Sequence, residues 1–215
     1  MGSEKNCFDP YCERCPRLVQ LLSEVRTAHP GYHGRPVQAF GDPKAKLVIV
    51  GLAPGMHGAN ASGRPFTGDF AGILLYQTLF EFGFSNYPKS VSRDDGLVLE
   101  GCFITNAVKC LPPQNKPVAS EIHNCNSYLK SEFDLLPSNS VILTLGRIAH
   151  ESVLRALNLR QKLFPFKHAE IHNIDESKVL VSCYHCSRYN IQTKRLTPKM
   201  FRDVFQTIVN LLDEK

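Results

Sequence analysis

Three segments of the chain join a predicted buried strand to side chains that can do chemistry. A glycine-rich segment after the first strand ends at Asp69, Asn106 closes the next strand, and His185 follows the last one. A carboxylate can orient water or stabilise a cation, while an amide and an imidazole can donate hydrogen bonds to a developing anion. Each residue also has a structural interpretation: Asp69 could cap a helix, Asn106 could satisfy turn backbone, and a lone His is more often structural.

The glycine-rich segment between the first predicted strand and the following helix reads GLAPGMHGANASGRPFTGD, residues 51–69. A segment of this kind is typical of a loop that holds a phosphate, but the Lys and the Mg²⁺-binding Ser or Thr of a P-loop are missing. A P-loop-like nucleotide hydrolase is therefore excluded. Small residues at Gly51, Ala53 and Gly55 would let a planar ring lie against the backbone, and Phe66 could cover that ring or pack in the core.

Eight Cys residues are many for a chain of this length. Cys12 and Cys15 form a C-x2-C pair before a helical stretch, and Cys110 and Cys125 form a second, irregularly spaced pair. Four thiolates suffice for a tetrahedral zinc site or a 4Fe–4S cluster, and the spacing does not separate the two metals. Cys7 could substitute as a ligand, and Cys125 could instead be an ordinary core thiol.

The remaining Cys residues are expected to be structural. Cys102 and Cys183 fall in predicted strands and are interpreted as core residues. Cys186 directly follows His185, and a Cys beside a His could be a nucleophile. Neighbours at the end of a strand point to opposite sides, however, which argues against a nucleophile at this position.

Four apolar runs have the near-continuous Val, Ile and Leu content of strands that are covered on both faces, which favours a parallel sheet. The predicted strands are Lys46–Val50, Cys102–Asn106, Ser140–Leu145 and Val179–Tyr184. The helical patterns that alternate with them are Arg17–Val25, Asp69–Phe82, Ser120–Leu136, Arg147–Leu157 and a final helix from Pro198 that is capped by Thr197.

This alternation predicts an α/β fold, a three-layer α/β/α sandwich around a short, mainly parallel four-stranded sheet. Because the chain has no internal repeat, low-complexity tract or linker, residues 1–215 are expected to form a single domain. Ligands of such sheets bind beyond the carboxyl ends of the strands, so the three polar segments should converge on one site.

Composition limits the class of protein without naming its partner. The chain has 215 residues, of which 43% are hydrophobic and 21% charged, enough for a sizeable core. A formal charge of +5 is only weak support for nucleic-acid binding. The sequence has no 18-residue apolar run and no secretory signal, so we expect no membrane partner and a reducing compartment for the thiols. The expected location is the cytoplasm, with association with the nucleoid if the protein is prokaryotic.

Taken together, three motifs resemble those of the uracil-DNA glycosylase superfamily: GLAPGMHGANASGRPFTGD, TNAVKCLPPQNKP and YHCSRYNIQTKRLTP. The chain is most similar to family 5, also called type b, and next to the iron–sulfur family 4. The similarity begins at CERCPRLV and reaches the final helix, so it covers nearly the whole chain.

The resemblance implies roles for individual residues, which are therefore expectations. Catalytic roles are expected for Asp69, Asn106 and His185. Base binding is expected for Gly51, Leu52, Ala53, Pro54, His57, Phe66 and Asn106, although His57 could face a phosphate instead. DNA contacts are expected for Ser187, Arg188, Lys194 and Arg195, with a solvated charged surface as the alternative for each basic residue. The ligands of a 4Fe–4S cluster fall on Cys12, Cys15, Cys110 and Cys125, which favours iron over zinc.

The chain departs from the family pattern at three positions. Family 4 has a Glu where this chain has Leu52, so that position cannot polarise water, and the catalytic carboxylate is expected at Asp69, as in family 5. Cys186 replaces the Pro of a His-Pro-Ser motif, which affects the stiffness of the loop that plugs the DNA. Ala61 replaces an Arg that is common in family 5, which weakens an expected phosphate contact.

The activity that the resemblance implies is that of a monofunctional DNA glycosylase. It would flip uracil out of double- or single-stranded DNA, act as a monomer, hydrolyse the N-glycosidic bond and so start base excision repair. Other deaminated or damaged bases, such as hypoxanthine and ethenocytosine, are also expected substrates. No Lys in the matched motifs takes the place of a lyase nucleophile. The alternative is an iron–sulfur protein that binds damaged or single-stranded nucleic acid without cleaving it.

Overall fold

One mixed β-sheet forms the centre of the computed structural model, which describes residues 8–213; Cys7 lies outside the described residues. The strands are β1 Phe40–Gly41, β2 Leu47–Gly51, β3 Cys102–Asn106, β4 Ser140–Leu145, β5 Ile171–Asn173 and β6 Lys178–Cys183. Their order across the sheet is β1-β3-β2-β4-β6-β5. The four inner strands are the predicted ones and run parallel, so the predicted sheet core is confirmed.

The sheet has six strands, however, and not the four that the sequence predicts. The two additional strands lie at the edges and pair antiparallel, β1 with β3 and β5 with β6. β1 has only two residues and β5 only three, mostly exposed or half-buried, so neither carries the apolar run that identified the inner strands.

Seven α-helices lie within the described residues. They are α1 Pro16–Ala28, α2 Ala59–Ser62, α3 Phe70–Glu81, α4 Ala119–Phe133, α5 Arg147–Ala156, α6 Arg188–Gln192 and α7 Pro198–Asp213. The predicted cap of the last helix is present, since the backbone N–H of Met200 donates to Thr197 Oγ1 over 3.2 Å. No helix in this part of the chain is long and apolar enough to cross a membrane.

Helices cover both faces of the sheet, which confirms the three-layer arrangement. Ile49 and its register partner Leu143 pack into one cluster with residues of α3 and α7. The adjacent pair, Val48 and Ile142, packs into a second cluster with residues of α4 and α5 on the opposite face. The strict alternation of the strand side chains thus builds two cores from one sheet.

The parallel register aligns the carboxyl ends of β2 and β3, where Gly51 lies opposite Asn106. The segment between β2 and α3, residues 52–69, is called the site loop below. The site loop and the residues that follow β3, β4 and β6 all leave the sheet at this edge. The fold therefore brings the three polar segments to one place, as expected for a doubly covered parallel sheet.

Replacing Leu143 by Ala should lower the free energy of unfolding by about 2–5 kcal/mol, because it opens a cavity in a fully buried central strand. Urea unfolding followed by circular dichroism measures this change. The matched control is Ile171→Ala on the edge strand β5, where the side chain is 43% exposed and its loss should be nearly neutral. Equal losses in the two variants would contradict the assignment of the core.

Candidate active site

A pocket of about 420 Å³ opens at the carboxyl edge of the sheet. Eight of the residues predicted for the site line it: Leu52, Ala53, Phe66, Asp69, Asn106, His185, Ser187 and Arg188. Gly55, where the sequence predicts room for a planar ring, also lines the pocket, and three further lining residues were not predicted for the site: Phe70, Ala71 and Asn115. The three candidate catalytic side chains, from three separate segments, thus share one cavity.

Asp69 occupies the capping position of α3, but its side chain makes no capping hydrogen bond. Its Oδ2 atom accepts a hydrogen bond from the backbone N–H of Ala59 over 3.0 Å instead. A Cβ atom at either Gly55 or Gly58 would collide with the Asp69 carboxylate. The glycines of the site loop therefore make room for a carboxylate held against backbone, and the carboxylate faces the pocket.

Burial controls the protonation of this carboxyl group. Desolvation raises the pKa of Asp69, and the hydrogen bonds from the backbone of Ala59 and Gly55 lower it in part. These backbone donors stabilise the charged form, which is the form that can stabilise a cation or orient a water molecule.

Gly51 allows two site residues to approach the end of β2. A Cβ atom on Gly51 would collide with Asn106 Oδ1 and would lie only 2.6 Å from Cζ of Phe66. Asn106 is 3% exposed and Phe66 is 6% exposed, so both are held firmly. Together they form the inner wall of the pocket, with an amide edge beside an aromatic ring.

The His185 ring lies near that of Phe66, with ring centroids 6.2 Å apart and an angle of 25° between the planes. Burial lowers the pKa of the His185 imidazole from 6.5 to about 4, so the ring is neutral near pH 7. Its backbone carbonyl accepts a hydrogen bond of 2.8 Å from Asn190 Nδ2, which anchors the segment after β6. A neutral imidazole still has one N–H group to donate into the pocket.

Cys186 is directed away from the pocket, although it follows His185 in sequence. It is fully buried, and its thiol donates to the carbonyl of Ala71 over 3.4 Å. Burial raises the pKa of this thiol to about 12, which disfavours the thiolate that a nucleophile requires. The residue packs in the core, in agreement with the expectation from strand alternation.

Several predicted residues lie outside the pocket lining. Gly51 and Pro54 are buried, and His57 is exposed, with Nδ1 2.9 Å from the hydroxyl of Tyr32. Lys194 is exposed, while Arg195 lies over the ring of Tyr184 at 4.6 Å. Their contacts with base or DNA stay predictions.

Arg195 borders an adjoining groove of about 340 Å³ that shares Leu52 and His185 with the pocket. Of the predicted DNA-contacting residues, Ser187 caps α6 through Oγ, which accepts from the N–H of Asn190 over 3.4 Å. Arg188 is exposed and lies 5.0 Å from the ring centroid of Phe70. Pocket and groove are therefore neighbours, and each has an Arg among its lining residues, Arg188 in the pocket and Arg195 in the groove.

The four predicted ligand Cys residues line a second, small pocket between α1 and α4: Cys12, Cys15, Cys110 and Cys125. Burial and the neighbouring thiols raise the pKa of Cys110. The backbone N–H of Lys109 donates to Cys125 Sγ over 3.2 Å, and Asn124 Nδ2 lies 3.6 Å from Cys15 Sγ. Within residues 8–213, no three His, Cys, Asp or Glu side chains are already arranged as a metal-binding group. The donor set nevertheless suits a thiolate-bound metal centre.

Asn115 is the lining residue that sequence reasoning missed most clearly. It follows Gln114 in a loop where both residues have positive φ, 54° and 56°, a conformation that Asn tolerates better than most residues. Asn within a Pro-rich segment was the available signal, but that signal also fits an ordinary turn.

Comparison with known proteins identifies the class. The model of the uracil DNA glycosylase superfamily matches residues 38–209. A type-5 uracil-DNA glycosylase of Thermus thermophilus is 46% identical over 198 residues, which cover 90% of each chain. One of Pyrobaculum aerophilum is 43% identical over 91% of this chain and 86% of its own length. A type-4 enzyme of Saccharolobus solfataricus is 30% identical over 92% of this chain and 82% of its own length.

The chain belongs to the uracil-DNA glycosylase superfamily. The type-5 relatives compared are 38–46% identical to it and the type-4 relatives 30–31%, so it resembles type 5 more strongly. The crystal structure of wild-type Pedobacter heparinus SMUG2 has a TM-score of 0.50 and covers 80% of this chain and 77% of its own. At 14% identity it shows the shared fold alone.

The His185 ring should titrate with a midpoint of about 4, which NMR of the ring C–H groups measures. A pKa that is lower in the folded chain means that the unfolded chain binds more protons between about pH 6.5 and pH 4, so stability falls as the pH drops through that window. His185→Asn should reduce this loss of unfolding free energy. The control His123→Gln, on an exposed position of α4, should behave as the wild type, and an identical pH dependence in all three proteins would contradict the assignment.

Proposed function

We propose that this chain hydrolyses the N-glycosidic bond between uracil and deoxyribose in DNA and leaves an abasic site, which starts base excision repair. The observation that carries the proposal is the shared cavity of Asp69, Asn106, Phe66 and His185. The names of the type-5 relatives, uracil-DNA glycosylases that match over most of the chain, support the same activity.

The reaction makes opposite charges on its two fragments. The sugar passes through an oxocarbenium-like state, while the departing base carries negative charge. Asp69 is suited to the sugar side, because its carboxylate faces the pocket and is fixed by the N–H of Ala59. It would stabilise the cation and orient the water molecule that attacks it.

The base side needs hydrogen-bond donors and a recognition edge. The neutral imidazole of His185 would donate its N–H to the uracil carbonyl next to the broken bond. Asn106 presents both an amide donor and an amide acceptor, which complement the Watson–Crick edge of a pyrimidine. Phe66 supplies an aromatic face, and stacking on such a face is worth about 1–3 kcal/mol per base. This stacking offsets part of the free-energy cost of extruding the base from the DNA helix.

The substrate range follows from the apolar part of the wall. Leu52 lines the pocket where a polar group would discriminate more strongly between base edges. A pocket of about 420 Å³ also has room for more than a pyrimidine ring. We therefore propose that hypoxanthine and ethenocytosine are accepted as well as uracil.

The reaction is proposed to stop at the abasic site. A lyase step would need an amine nucleophile, and among the described residues no Lys lines the pocket. We propose that the protein acts as a monomer, because a single chain holds all three candidate catalytic side chains in one cavity. The phosphates on either side of the flipped nucleotide would meet Ser187, Arg188, Lys194 and Arg195, so binding should weaken with salt.

We further propose that the cysteine pocket holds a 4Fe–4S cluster through Cys12, Cys15, Cys110 and Cys125. Four thiols on one pocket are the donor set that such clusters use. When bound, the cluster would act as a cross-link that joins the start of α1, the segment after β3 and helix α4, with no part in bond cleavage. Free thiols on these elements also suit a reducing compartment, which supports a cytoplasmic location.

Gly58→Ala should lower the glycosylase rate at least about a hundredfold, because the added Cβ would displace the Asp69 carboxylate. Single-turnover cleavage of a duplex with one uracil, developed with alkali, measures the rate. Asp69→Asn should show a similar loss while it still binds the duplex.

The matched control is Gly31→Ala, since no atom lies within 4 Å of a Cβ at Gly31. This variant should cleave at the wild-type rate. Full activity of Gly58→Ala would contradict the assigned role of Asp69, and binding by the wild type without cleavage would favour the non-catalytic alternative.

Protein purified without oxygen should be brown and contain about four iron atoms per chain. Cys15→Ala should lose colour and iron, because Cys15 lines the cysteine pocket at the start of α1. Cys102→Ala should keep both, since Cys102 is buried in β3 and does not line that pocket. A colourless wild type with one zinc ion per chain would reject the cluster.

A further inference from the structure

Phe66 has a backbone conformation that needs support from its surroundings. Its φ angle is +59°, in the left-handed region that is unfavourable for an aromatic residue. Such a conformation persists only where neighbouring groups determine it. The ring that forms the inner wall of the pocket therefore depends on contacts outside the pocket.

Helix α3 supplies the first support. The carbonyl of Phe66 packs so closely on Gly72 that a Cβ atom there would collide with it. The hydroxyl of Tyr76 donates to the carbonyl of Pro65 over 2.7 Å. These contacts fix the chain at Phe66 and just before it, but they reach it from one side only.

The second support comes through Arg64, whose partners Ser90 and Asp95 lie in the segment between α3 and β3. Its side chain is 5% exposed, and Nη1 donates to Asp95 Oδ1 over 2.7 Å and to Ser90 Oγ over 2.9 Å. Thr67 Oγ1 lies 2.6 Å from the same Ser90 hydroxyl. The residues on both sides of the Pro65-Phe66 unit are thus tied to one short segment of chain.

Asp95 is fixed in turn by its own loop. Its carboxylate accepts hydrogen bonds from the backbone N–H groups of Val91, Ser92 and Leu97, at 2.8, 3.2 and 3.0 Å. Burial alone would raise the pKa of this carboxyl, but Arg64 and the three N–H groups hold it well below its usual range. A charged Asp95 is therefore a fixed acceptor for the buried guanidinium.

We propose that Arg64 and Asp95 are positioning residues that hold the Phe66 ring as the stacking wall for the extruded base. This inference rests on the proposed function, since it is the glycosylase reaction that brings a base against Phe66. The ion pair makes no contact with the base, and it acts through the backbone of residues 64–67.

If Arg64 and Asp95 position the Phe66 ring, disrupting the pair should weaken binding to DNA with an extruded base and leave binding to undamaged DNA unchanged. A displaced or mobile Phe66 ring would stack less well on the extruded base, whereas the proposed phosphate contacts of Ser187, Arg188, Lys194 and Arg195 lie at and after the start of α6. Asp95→Asn removes the charge of the pair and keeps its shape. The ratio of affinities for a duplex with one non-cleavable 2′-fluoro-deoxyuridine and for the undamaged duplex should fall about fivefold or more.

Glu81→Gln is the matched control. Glu81 also pairs with an Arg, Arg202, over 2.6 Å, but both side chains are about a third exposed or more and neither lines the pocket. This variant should keep the wild-type affinity ratio. Ser90→Ala is a milder test that leaves the ion pair intact and should lower the ratio in the same direction, which serves if Asp95→Asn does not fold.

A second measurement does not depend on glycosylase activity. The chain contains no Trp, so Phe66→Trp creates a single Trp at the wall, which can be excited selectively over the seven Tyr residues. Adding Asp95→Asn to this reporter should increase its quenching by acrylamide and lower its anisotropy, while adding Glu81→Gln should change neither. An unchanged affinity ratio and unchanged quenching in the Asp95 variants would overturn the proposal. If wild-type protein shows no preference for the uracil duplex, the proposed function fails, and the Trp measurement still decides the positioning role.

Discussion

The Asp69 carboxylate, held by the backbone N–H of Ala59, is the interaction around which the site loop is built. A charged group that leaves water needs donors, and backbone N–H groups can reach it only where no Cβ atom intervenes. Gly55 and Gly58 meet that need, and the short helix α2 begins directly after them. The glycine-rich sequence thus serves a carboxylate of the protein itself, in place of the phosphate of a bound nucleotide.

The sheet register imposes the second constraint on the site. Gly51 and Asn106 are partners in parallel strands, so an amide side chain and a bare backbone meet at the same edge. The aromatic ring of Phe66 fits there because Gly51 has no Cβ atom. Strand pairing thus places Gly51 and Asn106 at the proposed recognition wall, while Phe66, Asp69 and His185 reach the pocket from the segments that follow the strands. In enzymes of this architecture, residues at the ends of the strands and in the loops that follow them commonly form the site together.

Much of the fold could be predicted because the inner strands are buried on both faces, and continuous apolar runs such as Ser140–Leu145 report that burial directly. The edge strands β1 and β5 could not be predicted, because two or three half-exposed residues carry no pattern. At the site, Asp69 fits the pattern of a helix cap, and only the structure shows its carboxylate turned toward Ala59. Asn115 and the Arg64–Asp95 pair depend on loop conformation, which one sequence does not encode in any periodic form.

Two adjacent residues in the first turn of α3, Ala71 and Gly72, meet the site through backbone atoms. The carbonyl of Ala71 holds the Cys186 thiol, and the bare Cα of Gly72 receives the carbonyl of Phe66. The next residue, Ile73, is 63% exposed and meets neither. Over the course of evolution, Gly72 should accept almost no replacement while Ile73 varies freely. A sharp change in mutational tolerance between Gly72 and Ile73 would then show that the backbone of α3 holds both the site loop and the segment after β6 in place.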